Sequence, residues 1–455
     1  MVGDEPDGEG LARTMDADTI CAIATPAGAG GLGVIRVSGP GAGALAQAVL
    51  GRIPKPRFAT LARFRDAEGR ALDEGLALYF PKPASFTGED VLELQGHGSP
   101  VVLDLLLTSL VARGARLARP GEFTERAFLN GKIDLVQAEA VADLIGSANE
   151  AAARAAFRTL QGAFSETLDG LHQRLVVLRT HVEAAFDFPD EALDITADSA
   201  RKTELRVARA LVAEALRRGR EGRLLREGAH VVIVGAPNAG KSTLLNALVG
   251  HEAAIVSPYP GTTRDLVREA VVMEGLALRL TDTAGLRVSD DPVEREGVRR
   301  AEEVLAHADC ALWVVDDTEA EAHRVPPPST IPTLTVYTKI DRSGRPPGPC
   351  LGGFAVSAPT GAGLAELRLG IRALILGPES APCEEGAFTA RRRHVAALEY
   401  VEAALTSALA RQQEGQLELV AEELRRAHDR LGEITGRFTS DDLLGRIFAD
   451  FCIGK

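Results

Sequence analysis

The fold is decided by the stretch Val231-Val-Ile-Val-Gly235-Ala-Pro-Asn-Ala-Gly240-Lys241-Ser242. Its first four residues are apolar and β-branched, which predicts a buried strand, and Thr243-Leu-Leu-Asn-Ala-Leu-Val continues as a helix. The eight residues from Gly235 fit G-x-x-x-x-G-K-[ST], in which glycines let successive N–H groups point at one anion. The helix N-terminus adds the positive end of its dipole. A simple glycine turn is the alternative, and the strand–loop–helix context argues against it.

The side chains of this loop suit a nucleotide triphosphate. Lys241 can reach the β- and γ-phosphates, and the Ser242 hydroxyl is placed to ligate Mg²⁺. We therefore expect the phosphates to be held by Gly235, Asn238, Ala239, Gly240, Lys241, Ser242 and Thr243.

Two further motifs follow this loop along the chain. Gly261-Thr262-Thr263-Arg-Asp265 lies in a segment rich in proline and glycine, where a threonine can supply the second protein ligand to Mg²⁺. Leu278-Arg-Leu-Thr-Asp282-Thr-Ala-Gly285 predicts a strand that ends in an acidic residue. The N–H of its glycine can face the γ-phosphate.

The last two motifs concern the base. In Val336-Tyr-Thr338-Lys339-Ile-Asp341, the aspartate can accept both N1–H and N2–H of guanine, which adenine cannot offer. Phe354-Ala-Val-Ser357-Ala358 predicts a final strand and a small turn beside the base. Five motifs in this order and spacing indicate a Ras-like α/β guanine-nucleotide domain.

Two positions depart from the usual pattern. Thr338 stands where such domains usually carry an asparagine that bonds the purine N7 and braces the loop, so we expect weaker binding or looser base choice. Asp341 still argues for guanine, and ATP hydrolysis is kept as an alternative. Leu286 stands where Ras-type enzymes place the glutamine that orients water. Either hydrolysis is slow or another group positions the water.

Composition limits the class of protein. The chain of 455 residues has room for two to four domains, and a net charge of −13 means that any nucleic-acid contact is local. No stretch approaches the apolar length of a membrane span. The cysteines form no C-x-x-C pair, which argues for a reducing compartment and predicts a cytoplasmic protein; they are Cys21, Cys310, Cys350, Cys383 and Cys452.

Changes in composition and in the spacing of apolar residues along the chain predict a multidomain α/β and α+β protein. Similar helical composition before and after the nucleotide domain indicates one helical domain into which that domain is inserted on two linkers. The predicted parts are a disordered leader (1–16), an N-terminal α+β domain (17–131), the first helical part (132–227), the nucleotide domain (228–378) and the second helical part (379–455).

The chain resembles the MnmE family of bacterial tRNA-modification GTPases, also called TrmE. The resemblance covers nearly the whole chain and includes the Gly261–Asp265 motif. Its other motifs are Asp18-Thr-Ile-Cys-Ala with Gly31-Leu-Gly-Val-Ile-Arg-Val-Ser-Gly, Ser85-Phe-Thr-Gly-Glu-Asp, Pro120-Gly-Glu-Phe-Thr-Glu-Arg-Ala-Phe and Phe451-Cys-Ile-Gly-Lys455.

The resemblance implies a function in three parts. The N-terminal domain would bind a tetrahydrofolate derivative, the 5-formyl or 5,10-methylene form, and would form the homodimer. With an FAD-dependent MnmG-like partner, in a heterotetramer, the protein would build a carboxymethylaminomethyl-type group at C5 of the wobble uridine, position 34, of certain tRNAs. The folate would supply the one-carbon unit. A regulatory GTPase without folate chemistry stays open as the alternative.

The resemblance also implies a potassium- and magnesium-dependent GTPase activated by pairing of G domains. K⁺ would supply the charge that an arginine finger supplies elsewhere, which answers the absence of a glutamine at Leu286. Mg²⁺ would be held by Ser242 and Thr263, and Glu294 would order the water network, with a solvated helix carboxylate as its alternative. The implied K⁺ ligands are Asn238, Ser257, Tyr259 through its carbonyl, and Thr262.

The implied folate site consists of Arg36, Glu93 and Lys132, with Lys455 nearby. A pterin suits a carboxylate and glutamyl carboxylates suit cations, although each residue taken singly is more often a surface ion. Cys452 would be a thiol near this site, either catalytic or only packed there.

Contacts to tRNA are poorly marked. Arg217-Arg-Gly-Arg220 and Arg391-Arg-Arg-His394 are the dense basic clusters, and charge runs are usually solvated faces. His97, between glycines, is interpreted as structural.

Overall fold

The computed structural model describes residues 18–187, 195–250, 268–273, 276–282, 308–319, 331–376, 387–437, 441–449, 451 and 454. The described residues divide into two compact units. One lies within Met1–Ala142 and Gly432–Lys455, and the other lies within Asp143–Leu431.

The first unit is built on a six-stranded sheet. In chain order its elements are β1 (Ile20–Ile23), β2 (Gly30–Ser38), α1 (Ala42–Leu50), β3 (Thr60–Arg65), β4 (Ala71–Phe80), β5 (Val91–Gly98), α2 (Pro100–Ala112), β6 (Arg116–Leu117), α3 (Glu122–Leu129) and the part of α4 (Leu135–Ile145) up to Ala142. The strand order is β3-β4-β5-β2-β1-β6, in which β1 and β6 are parallel and the other neighbours are antiparallel.

The core of this sheet follows from the alternation of its strands. Ile35 and Val37 on β2 and Leu92 and Leu94 on β5 point to one buried face, because residues two apart share a face. Helices α1 and α2 cover that face with apolar side chains, including Leu45, Val49, Leu103, Leu106 and Leu110.

The second unit begins with long helices. They are α5 (Glu150–Leu160), α6 (Ala163–Asp187) and α7 (Ile195–Glu227). Helix α6 buries one stripe at three- and four-residue spacing, which is the pattern of a helix packed on its neighbours: Leu168, Leu171, Leu175, Leu178 and Val182.

A seven-stranded sheet follows α7. Its elements are β7 (Ala229–Gly235), α8 (Lys241–Val249), β8 (Arg268–Met273), β9 (Leu276–Asp282), β10 (Cys310–Asp316), β11 (Thr333–Thr338), α9 (Ile340–Ser343), β12 (Gly348–Cys350), β13 (Gly353–Ala355) and α10 (Leu364–Leu376). The order is β12-β13-β11-β10-β7-β9-β8, and the five strands from β13 to β9 are parallel. Their carboxyl ends bring the nucleotide motifs to one edge of the sheet.

The chain passes from α7 into this sheet without a loose linker. Leu224, near the end of α7, is part of the apolar core of the sheet, and Arg223 binds Asp309 with an Nη2–Oδ1 distance of 2.6 Å. Gly228 makes the turn with φ of +74°, and a Cβ there would lie 2.7 Å from the Ala277 carbonyl oxygen. Helix α7 and the nucleotide sheet are therefore packed directly on each other.

Three long or medium helices follow the nucleotide sheet along the described chain: α11 (Arg392–Gln413), α12 (Leu417–Thr435) and α13 (Asp441–Ala449). Phe388, just before α11, stacks on Phe164 of α6 with ring centroids 4.2 Å apart. Helices on both sides of the nucleotide sheet thus pack together, as an inserted domain requires.

The last helix belongs to the first unit. Phe448 of α13 and Phe451 are buried with Leu135, and the Phe448 ring centroid lies 6.4 Å from that of Phe128. The domain boundaries inferred from composition stay predictions. In the structure, the described residues from Gly432 onward belong to the same compact unit as the N-terminal sheet. Among the described helices, none combines the length and hydropathy that crossing a bilayer would require.

Candidate nucleotide-binding site

The loop between β7 and α8 has a backbone that its sequence requires. A Cβ at Gly235 would collide with the carbonyl oxygen of Val314 on the neighbouring strand. Asn238 and Gly240 have φ of +61° and +90°, a conformation that glycine and asparagine tolerate best. The loop therefore curls tightly around the N-terminus of α8, where the positive end of the helix dipole favours an anion.

The side chain of Lys241 is hydrogen-bonded to the backbone of this loop. It is the first residue of α8, and its Nζ donates to the carbonyl oxygens of Gly235 and Ala236 at 2.9 and 2.8 Å. Its charge is buried, and a phosphate is a stronger partner for that charge than a neutral carbonyl group. Ser242 and Thr243 follow with exposed side chains on the first turn of the helix.

Thr338 ties the phosphate loop to the strand that carries the base motif. Its hydroxyl lies 2.6 Å from the Ala239 carbonyl oxygen and 3.1 Å from that of Val315. The residue is 2% exposed. The bracing role of the usual asparagine is thus retained by the threonine in this chain.

The remaining base residues are fixed by polar contacts. Lys339 Nζ lies 2.6 Å from Asp316 Oδ2. Burial raises the pKa of Asp316, but hydrogen bonds from Lys339 and Thr318 outweigh it and hold that pKa below its usual range. Ser357 Oγ donates to Asp341 Oδ1 at 2.8 Å, which orients the predicted guanine-binding carboxylate. Ala358 follows Ser357 at the same end of the sheet.

Several predicted residues lie outside the described part of the chain. For Asp282 only the backbone is described: it is the last residue of β9 and pairs with Ile233 of β7, on the same sheet edge as the phosphate loop. Its predicted role, and those of Ser257, Tyr259, Thr262, Thr263, Gly285, Glu294, Cys452 and Lys455, stay predictions.

In the first unit, two of the predicted folate residues form a pair. Arg36 on β2 and Glu93 on β5 are directly opposite, with an Nη2–Oε1 distance of 2.9 Å and 18% exposure of each side chain. The Arg36 guanidinium also lies 5.8 Å from the centres of the Phe86 and Phe123 rings. Lys132 binds the Pro83 carbonyl oxygen at 3.1 Å.

A buried charge network in this unit was not predicted from the sequence. Arg126 is 1% exposed and contacts Asp18, Glu122 and Glu89 at 2.6, 3.1 and 3.2 Å. These four residues come from three of the motifs that carry the family resemblance. Those motifs therefore include residues that hold the domain together, and spacing alone gives no signal of this pairing.

The carboxylates of this network are stabilised in the charged form. Burial raises the pKa of Glu122, but hydrogen bonds from Arg116, the Arg119 backbone and Arg126 outweigh it and lower the pKa below its usual range. The pKa of Asp18 is lowered in the same way, with burial opposed by Arg116 and Arg126.

The basic clusters considered for tRNA are largely paired with acids. Arg217 binds Glu214 and Glu221, Arg218 binds Glu214, and Arg220 binds Glu399. Hydrogen bonds from Arg217 lower the pKa of Glu214 to about 2, against the effect of burial. Similar pairs join Arg391 to Asp143 and Arg392 to Glu227.

His97 also has a nearby partner. Its Nδ1 lies 2.8 Å from Asp73 Oδ1, and its backbone N–H donates to the same carboxylate. The pair connects the adjacent strands β4 and β5.

Comparison with known proteins identifies the family. Residues 19–132 match the family described as the GTP-binding protein TrmE N-terminus, and residues 135–452 match the MnmE helical domain. The tRNA modification GTPase MnmE of Methylococcus capsulatus is 52% identical over 97% of this chain and 99% of its own. That of Alkalilimnicola ehrlichii is 52% identical over 98% of this chain and 100% of its own.

Among solved structures, a variant of Aquifex aeolicus Era bound to GDP.AlF4⁻ is 29% identical over 39% of this chain and 66% of that one, with a TM-score of 0.26. The family matches, together with the seven-stranded sheet that lies between the helices along the chain, confirm the predicted fold class, with an N-terminal α+β domain, a helical domain and an inserted nucleotide domain. The chain belongs to the MnmE (TrmE) family of tRNA modification GTPases.

Proposed function

We propose that this chain is a homodimeric GTPase that modifies the wobble uridine of certain tRNAs. It acts with an FAD-dependent MnmG-like partner, in a heterotetramer, to build a carboxymethylaminomethyl-type group at C5 of uridine 34 from a folate one-carbon unit. The observation that carries the proposal is the phosphate loop with buried Lys241, joined through Thr338 to the end of β11, just before the short helix that carries Asp341. It occurs in a chain whose near full-length relatives are tRNA modification GTPases.

The nucleotide is bound by groups with separate roles. Lys241 exchanges its loop carbonyls for the β- and γ-phosphates, and Asp341 accepts N1–H and N2–H of guanine. The exposed Ser242 hydroxyl, next to Lys241, fits a Mg²⁺ ligand, with Thr263 as the second. When bound, Mg²⁺ neutralises charge on the β- and γ-phosphates.

Hydrolysis depends on a monovalent cation in this proposal. Asn238 lies on the exposed outer side of the phosphate loop, and its amide oxygen is a hard ligand of the kind that K⁺ accepts. Ser257, Tyr259 and Thr262 complete the proposed set, and Glu294 orders the attacking water. When bound, K⁺ supplies the fixed positive charge that an arginine finger supplies in other GTPases.

The folate is bound in the first unit. The partly exposed setting of Arg36 and Glu93, beside two aromatic rings, fits a flat pterin that offers N–H donors to a carboxylate. Lys132 and Lys455 are cations for the glutamyl tail, and Cys452 is a thiol near the folate site. The same domain forms the homodimer, and the protein acts in the cytoplasm.

The experiment that tests the proposal is a comparison of tRNA nucleosides from cells with and without the gene. Loss of the carboxymethylaminomethyl-type uridine, restored by the wild-type gene but not by Lys241→Ala, supports the tRNA function. Unchanged nucleosides contradict it and favour the regulatory alternative.

A further inference from the structure

The hydroxyl of Thr338 has two carbonyl oxygens within reach and one proton to donate. Ala239 O lies 2.6 Å away and Val315 O lies 3.1 Å away, and a carbonyl oxygen can only accept. Because Thr338 is 2% exposed, water cannot replace either partner. The proton of this hydroxyl is therefore committed to the backbone.

The phosphate loop lies directly beside Thr338. A Cβ at Gly240 would be in ordinary van der Waals contact with Thr338 Oγ1, at 3.5 Å, and the Gly240 backbone has φ of +90°. Rotating the hydroxyl toward a bound base would leave the Ala239 carbonyl unpaired in a buried position, which is costly. The hydrogen bond to the Ala239 carbonyl and a hydrogen bond to the base therefore compete for the single hydroxyl proton of Thr338.

An asparagine at this position would not face that competition. Its amide has two N–H groups, so one can serve the loop while the other serves the base. The purine N7 is an acceptor without a hydrogen, and a committed hydroxyl offers it nothing. Threonine can therefore bond the phosphate loop as an asparagine would, but it cannot also donate to the purine N7.

Recognition of the other edge of guanine does not depend on Thr338. Asp341 is oriented by Ser357, at 2.8 Å, and Lys339 is held by Asp316, at 2.6 Å. These contacts leave the Asp341 carboxylate available for N1–H and N2–H. The site can thus choose guanine over adenine without reading N7.

We propose that Thr338 relaxes the base specificity of this chain by leaving the purine N7 without a hydrogen-bond donor. The site then accepts 7-deazaguanine nucleotides as well as guanine nucleotides. This inference rests on the proposed seating of the guanine nucleotide against the phosphate loop.

The test compares the Kd of GDP with that of 7-deaza-GDP, in which a C–H replaces N7. Both are measured by isothermal titration of the full wild-type chain in Mg²⁺. We expect the two Kd values to agree within about twofold, because no hydrogen bond is lost. A GDP preference of about fivefold or more would overturn the inference.

Two variants sharpen the result. In Thr338→Asn, GDP should gain about three- to tenfold over 7-deaza-GDP, which is the contribution of one neutral hydrogen bond. In Thr338→Val, which has the same shape without the hydroxyl, both nucleotides should weaken equally, because only the brace is removed. A Thr338→Val variant that weakens GDP alone would overturn the inference.

Failure of the inference can be told from failure of the proposed function. If the wild type binds GDP and discriminates against 7-deaza-GDP, only the role of Thr338 is wrong. If it binds neither nucleotide, both proposals are overturned.

Discussion

The nucleotide site of the second unit and the charge network of the first differ in how their parts are distributed along the chain. The phosphate loop is complete within the eight residues from Gly235 to Ser242. Arg126, in contrast, binds Asp18 across 108 residues and Glu89 across 37. A site made by local backbone geometry is visible in the sequence, whereas a site made by distant side chains is not.

The largest effect that would test this contrast is expected at Arg126. Arg126→Met leaves Asp18, Glu89 and Glu122 buried or partly buried without their shared cation. We expect the free energy of unfolding of the first unit to fall by about 3–5 kcal/mol. Urea denaturation at neutral pH measures it.

Arg70 provides the control. It binds Asp66 at 2.7 Å on the surface with 74% of its side chain exposed. Arg70→Ala should change the free energy of unfolding far less than Arg126→Met, because water screens this surface pair. Equal effects of the two substitutions would show that the Arg126 network does not stabilise the unit.

The corresponding substitution in the nucleotide site should affect function more than folding. Lys241→Ala removes the cation that lies between the loop carbonyls and the proposed phosphates. We expect kcat/KM for GTP to fall by about 100-fold or more, with little change in thermal unfolding. Arg154→Ala, at an exposed helical pair with Glu150, should leave the rate unchanged. A rate retained in Lys241→Ala would contradict the assignment of the loop.

Base recognition gives a third test. Asp341→Asn replaces an acceptor of N1–H and N2–H by an amide that can donate to the O2 of xanthine. We expect GTP binding to weaken by roughly 10- to 100-fold and XTP binding to improve. Competition against a fluorescent nucleotide measures the ratio, with ATP as the control ligand. An unchanged GTP/XTP ratio would exclude Asp341 from the base site.

The proposed folate site tests the first unit in the same way. Arg36→Ala should weaken 5-formyl-tetrahydrofolate by about tenfold, because one charge-assisted contact and its partner's orientation are lost. Arg63→Ala removes a matched cross-strand pair with Glu74 in the same sheet, on the surface, and should have no effect. Fluorescence titration of the full chain checks both. Absence of binding by the wild type would favour a regulatory GTPase.

The smallest effect concerns acid. The pKa values of Asp18 and Glu122 are lowered in the folded state, so their contribution to stability is present above the ordinary carboxyl pKa. It is lost as pH falls through the lowered folded values. The midpoint temperature of thermal unfolding should therefore decrease as the pH drops below the ordinary carboxyl pKa range. Glu122→Gln should make that decrease smaller. An unaltered pH profile in Glu122→Gln would remove Glu122 from the account.

The sequence could predict the nucleotide loop because its requirements are local. Gly240 needs a positive φ, the strand before it needs apolar residues, and the helix after it needs Lys241 at its start. The partners of the Thr338 hydroxyl could not be predicted, since Ala239 is 99 residues away along the chain. The packing of Phe448 beside Leu135 could not be predicted either, because helices of similar composition give no sign of which of them are in contact.

The central claim is that a potassium ion at the phosphate loop supplies the charge for hydrolysis, and the rate of GTP hydrolysis in KCl against NaCl at equal ionic strength tests it most directly. Asn238→Gly is the informative variant, because glycine accepts the φ of +61° and only the amide is removed. We predict a wild-type rate at least about tenfold faster in KCl, and no such difference in Asn238→Gly. Equal wild-type rates in the two salts would contradict the claim.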